Sequence, residues 1–208
     1  MPRKSAKPPE SGRREQNKLE KRERIREAAE KLFLKKGYDA TTTREVAETA
    51  DVAAGTVFLY ARDKDDLLFL VMHERLKEAV DRGFSTMPKR ARLIDGWLHV
   101  FSEIFTLYGK LEPLARPFCR LLPGARGFNA DLVNALTQTF VQRLALQVQE
   151  AQQRGEVRHD VDPIVAASSA FGLYFTTLML WLSGFSPLEQ LPDVLRASLE
   201  LLFKGLAR

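Results

Sequence analysis

The sequence predicts an all-α protein in which a small N-terminal unit of three helices is joined by one long helix to a larger α-helical body. Three observations predict it. Apolar residues recur at three- and four-residue spacing along nearly all 208 residues, and no stretch alternates as a half-buried strand does. Two helices too short to persist alone in water lie near the N-terminus, bracketed by longer ones that can hold them. The charge is uneven: residues 1–64 carry 16 Lys+Arg against 11 Asp+Glu, while the rest of the chain is balanced. A basic end on a neutral body is the composition of a nucleic-acid-binding module, because phosphate neutralisation drives such binding.

The elements follow in order. Residues 1–18 read as a basic tail; Met1 to Gly12 are rich in Pro, Ser and Lys, so they are expected to be disordered and not a secretory signal. A first helix is predicted from about Lys18 to Lys36, with Ile25, Ala28, Ala29, Leu32 and Phe33 on one stripe and Gly37 as its stop. Thr42 and Glu45 have capping-box spacing ahead of Val46, Ala47 and Ala50. After a turn at Asp51 to Ala53, a second short helix is predicted from about Ala54 to Tyr60. Asp63 caps a long helix that carries Leu67, Leu68, Val71, Met72, Leu76 and Val80, and Gly83 to Lys89 reads as the break that ends it.

Four further helices and a shorter piece make the body. Leu93 to Tyr108 is unusually aromatic, Leu111 to Leu122 is interrupted by Pro113 and Pro117, and Leu132 to Val148 ends at Gly155. Asp162 and Pro163 start the next, and Leu191 to Leu202 define the last. Pro163 to Leu188 contains no charged residue and is long enough to span a bilayer. Its Ser, Thr and Gly content favours a helix buried at a subunit interface, so no membrane partner is expected.

Two short helices joined by a tight turn form a helix-turn-helix, the second member being offered to a DNA major groove. The run Ala40-Thr41-Thr42-Thr43-Arg44-Glu45-Val46-Ala47, then Ala50-Asp51-Val52-Ala53-Ala54-Gly55-Thr56-Val57-Phe58-Leu59-Tyr60, then Asp63-Lys64 with Leu67-Leu68, resembles the DNA-binding domain of the TetR (tetracycline repressor) family. The resemblance is detailed from about Leu19 to Lys77; beyond that it rests on helix order and length. It implies a DNA-binding domain over 19–79 with its motif at 42–61, and an effector-binding and dimerisation domain over 80–208. It implies DNA contacts from Thr42, Thr43, Arg44, Ala54, Gly55, Thr56, Phe58, Leu59, Tyr60 and Lys64, with Thr43 and Lys64 on phosphate and Thr42 serving mainly as a cap.

Four positions depart from the family pattern. Asp51 stands for a glycine, Ala53 for a small hydroxylated residue, Phe58 for a tyrosine and Ala61 for a phenylalanine. Asp tolerates a left-handed turn, whereas Ala53 removes a helix cap and Phe58 a phenolic donor. Arg62 with Arg13, Arg14, Lys18, Lys21 and Arg22 is expected to supply compensating contacts to DNA.

In the body, Trp97, Phe101, Phe105, Tyr108, Phe118, Phe140, Tyr174 and Phe175 are candidates to line an apolar effector cavity. The last two helices carry more apolar surface than one chain can cover, with Ala166, Ala167, Ser169, Ala170 and Gly172 permitting close approach across a two-fold axis. The expected partners are an operator duplex, a second copy and a small-molecule effector. A regulator of the same fold without such an effector is the first alternative. A helical enzyme is the second, disfavoured because no nucleophile with a base and no phosphate-cradling loop is present. His73, His99 and His159 lack ligand spacing, so no metal, catalytic residue or cofactor is expected. The lone Cys119 suits a reducing cytoplasm and reads as a small buried hydrophobe, with an intermolecular bridge left open.

Overall fold

A computed structural model describes residues 10–206, and among them there is no β-strand. The helices are α1 (Glu10–Lys36), α2 (Thr43–Thr49), α3 (Ala54–Val57), α4 (Lys64–Thr86), α5 (Leu93–Lys110), α6 (Glu112–Leu121), α7 (Phe128–Gln153), α8 (Pro163–Leu182) and α9 (Leu191–Leu206). A 3₁₀ turn over Leu188–Gln190 leads into α9.

The head is α1 to α3 packed on the first turns of α4. Ile25, Ala29, Phe33, Val46, Ala47, Val57, Leu67 and Leu68 are buried together, and this shared core fixes two helices of seven and four residues that could not persist alone. The stripe expected on α1 is the buried one, but the helix starts at Glu10 instead of Lys18. Residues 13–18 of the expected tail are thus helical and exposed. Arg and Glu are good helix formers, and elongating an existing helix is far cheaper than nucleating a new one. Residues 1–9 of that tail lie outside the described residues.

Helix α4 is the hub. Asp66 to Met72 are seven consecutive buried residues, so this stretch is covered on every side, by the head and by α5, α6 and α7. Gly83 does not break the helix. A Cβ there would sit 3.1 Å from the Val100 Cα, so the glycine lets α4 and α5 approach closely at this point. On the other flank Glu30 accepts from Arg75 Nε and Nη2 at 2.9 Å each and from Arg26 at 2.7 Å, clamping α1 to α4.

Asp162 caps α8 by accepting from the Ile164 and Val165 amides at 2.8 and 3.1 Å, and Pro163 occupies the first helical turn. By length and composition α8 could cross a membrane; here it packs between α7 and α9. Ala166, Ala167 and Ala170 are buried within the chain and do not offer the close approach expected of them between subunits. Its open face is instead Val165, Ser168, Ser169, Gly172 and Thr176, continued by Ala197 and Leu201 on α9.

Candidate DNA interface and effector cavity

The turn between α2 and α3 is made by Asp51 at φ +52°, so the residue in the usual glycine place does adopt the left-handed conformation. Arg24 on α1 donates to the Asp51 carbonyl at 2.6 Å and pins the turn. Thr42 caps α2 in a full capping box: its hydroxyl accepts from the Glu45 amide at 3.3 Å, and the Glu45 carboxylate accepts from the Thr42 amide at 3.0 Å. Bonds from Lys36 and then Thr42 hold the Glu45 carboxyl below its usual range. Ala53 precedes α3 without any side-chain cap.

The reading element is shorter than the predicted 54–60 helix. Only Ala54–Val57 is α-helical, and the chain then tightens, with Leu59 donating to Thr56 and Tyr60 to Val57. An uncapped start and the need to reach Asp63, the cap of α4, favour these shorter turns. Ala54, Gly55, Phe58 and Leu59 are exposed here and Thr56 and Tyr60 half-buried. Leu59 stands out at 79% exposed, with Phe58 at 54%. Thr43 is half-buried at the start of α2, and Arg44 is exposed beside Glu48 at 3.1 Å.

Lys64 opens α4. Its ammonium donates to the Asp39 carbonyl at 3.0 Å and lies 4.5 Å above the Tyr38 ring. Burial and a bond to the Asp65 carboxylate push the Tyr38 phenol well above its usual value, so it remains a donor. Arg62, expected on DNA, points the other way and donates to the Arg126 carbonyl at 2.8 Å. Of the basic residues on α1, Arg22 pairs with Glu74 on α4 at 3.3 Å.

In the body, helices α4 to α8 surround an apolar cavity of about 40 Å³. Tyr108, Phe118, Phe140, Tyr174 and Phe175, five of the eight expected residues, line it. Trp97, Phe101 and Phe105 do not. Trp97 packs against α9, while Phe101 and Phe105 lie behind Tyr174, at 4.8 and 5.5 Å between ring centroids. Sequence reasoning missed Val133, Leu136 and Thr137, although their spacing with Phe140 puts all four on one face of α7. No charged side chain lines the cavity. Among the described residues no three His, Cys, Asp or Glu side chains converge as a metal site would require. Cys119 is fully buried, and burial pushes its thiol up to about 12.

A capped helix-turn-helix on a helical body defines a DNA-binding regulator. Residues 25–71 match the family described as bacterial regulatory proteins, tetR family, so this segment is a DNA-binding domain similar to that family's. It is 26% identical over 188 residues to the fatty acid metabolism regulator protein of Bacillus subtilis (strain 168), covering 88% of this chain and 93% of that one. Over 80 residues it is 39% identical to the regulator HbdR of Aromatoleum sp. (strain CIB), covering 38% of this chain and 32% of that one. The fold is similar to that of Thermus thermophilus FadR, a TetR-family repressor crystallised with lauroyl-CoA, with a TM-score of 0.73 at 24% identity, covering 90% of this chain and 96% of that one. The matched segment makes the chain a DNA-binding protein.

Proposed function

We propose that the chain is a repressor held as a dimer on a pseudo-palindromic operator of its own or neighbouring genes, and released when a long-chain fatty acyl thioester enters the body. The observation that carries this reading is the cavity itself, walled by aliphatic and aromatic side chains and lacking any charge. Such a lining suits a hydrocarbon chain and leaves a polar headgroup outside. The acyl-CoA complex of the Thermus relative supports that ligand class. At about 40 Å³ the cavity is far smaller than the roughly 300 Å³ at which ligand pockets begin, so entry must part the helices. A ligand that has to open the body binds open and closed states unequally, which is the condition for a switch.

Thr43, Arg44, Thr56, Tyr60 and Lys64 are the polar contacts proposed for DNA, with Phe58 and Leu59 as apolar ones. The proposed units, 19–79 and 80–208, share α4, whose backbone runs unbroken through their boundary. Retardation of a promoter fragment by the purified protein, with and without lauroyl-CoA, tests the proposal, and calorimetry measures the ligand alone. Trp181, stacked on Tyr108 at 6.3 Å, is the fluorophore placed to report entry. Retention of DNA at saturating lauroyl-CoA, with no heat of binding, would sink the effector reading.

A further inference from the structure

Head and body meet at more than the shared helix α4. The Asp66 side chain, buried in the first turn of α4, accepts two backbone amides with its two oxygens: Arg62 at 3.0 Å, in the segment that ends the reading element, and Asn129 at 2.9 Å, in the first turn of α7. The Asn129 amide is one of the four at a helix N-terminus that find no partner within their own helix, so a carboxylate from another element caps α7. Asn129 is itself fully buried and donates through Nδ2 to the Tyr60 carbonyl at 2.8 Å. Gly127 completes the joint, since a Cβ there would lie 2.5 Å from Arg62 Nη2 and 3.1 Å from Asp66 Oδ1, on a backbone at φ +140°.

We infer that Asp66 and Asn129 together are positioning residues for operator binding, which lock the reading element to the N-terminus of α7 and pass movement of α7 to the DNA head, the lock needing both. The cavity lies next to this joint. Val133 and Thr137, one and two turns along α7 from Asn129, line one wall, and Leu76 and Val80 on α4 line another. The two helices that a ligand must part are the two that Asp66 ties together. Parting them strains bonds that end on Tyr60 and Arg62, so the recognition segment moves with α7 as well as with α4. A packed, hydrogen-bonded joint has few intermediate arrangements, which suits a two-state element.

The inference rests on the effector reading for its ligand but not for its geometry, and the experiment separates the two. Operator affinity is measured with and without lauroyl-CoA for the wild type, Asp66→Asn and Asn129→Ala. Head-to-head distances in the unliganded dimer are measured by electron spin resonance in the same three backgrounds, with a spin label on Lys35→Cys, an exposed position of α1. Asp66→Asn sets a donor against one of two donors, and Asn129→Ala removes only the bond to Tyr60, so the second remains informative if the first fails to fold. The wild type is expected to lose affinity about 5- to 150-fold with ligand. Both variants should fall below about twofold while still binding lauroyl-CoA, and their distance distributions should broaden. A merely structural role would lower the melting temperature and leave the ratio unchanged. Wild-type distributions in both variants overturn the positioning role; broadening with the wild-type ratio retained overturns the transmission. If lauroyl-CoA fails to act on the wild type, the effector reading falls and the distances still decide the joint.

Discussion

The Lys64 ammonium lies 4.5 Å above the Tyr38 ring while donating to the carbonyl of Asp39, the next residue. The α1–α2 turn thus holds in place, before any DNA arrives, a cation proposed to meet a phosphate. Preorganisation lowers the entropy lost on binding. Lys64→Ala should weaken operator and non-operator DNA alike and reduce the slope of log affinity against log salt by about one. A slope equal to that of the wild type over several salt concentrations would remove Lys64 from the interface.

Gly172 lies exposed in the middle of α8, and a Cβ there would meet nothing within 4 Å of it in its own chain. A damaging Gly172→Asp substitution therefore reports on a second copy and not on the fold of one. Sedimentation should give twice the 23.6 kDa chain mass for the wild type and the monomer mass for the variant. The variant should also lose operator affinity, because two half-sites are no longer held together. A dimeric variant would move the interface away from this face.

Leu59 offers the reading element a bare aliphatic side chain, and the apolar feature of a base edge in the major groove is the thymine methyl group. Replacing operator thymine by uracil deletes that methyl and nothing else. Affinity should drop about fourfold for each methyl that Leu59 covers, from roughly 0.8 kcal/mol per buried carbon. In Leu59→Ala the two duplexes should bind alike. Equal binding of both duplexes by the wild type would show that Leu59 reads no methyl.

Cys119 is a buried thiol raised to about 12, so at neutral pH it is protonated as well as inaccessible. It should resist a disulfide reagent such as dithionitrobenzoate for hours at pH 7.5 and react fully in guanidinium chloride. Rapid reaction of the native protein would mean that α6 opens readily. The intermolecular bridge that the sequence alone leaves open has no accessible sulfur from which to form.

The helices were legible wherever burial is one-sided or a cap is local. The stripe of α1, the capping box at Thr42 and the Asp162-Pro163 start all act within a few residues of themselves. The end of α4 was not, because Gly83 serves a neighbour: its reason is Val100, distant in sequence but adjacent in space. The same holds for the site. Asp66 sits in an acidic first turn beside Asp63 and Asp65, where carboxylates belong for helix-dipole reasons alone, and nothing in that composition reveals its partner on α7. Arg62 reads as a DNA contact because it lies between residues proposed for DNA; its direction is set by a carbonyl in the α6–α7 loop. Among the aromatic residues, spacing along α5 could not tell Tyr108, at the cavity, from Phe101, one ring behind it.

A cavity this small also acts as a ruler. Each methylene moved from water into the body contributes roughly 0.8 kcal/mol, whereas parting the helices costs the same whichever chain enters. With the proposed acyl effector, short chains cannot offset the opening, and beyond a threshold length each added carbon should tighten binding about fourfold until the space is filled. Regulation would then follow the length of the circulating acyl chains more than their total amount, and the threshold would be set by how tightly the rings of Phe140, Phe171 and Tyr174 close over one another.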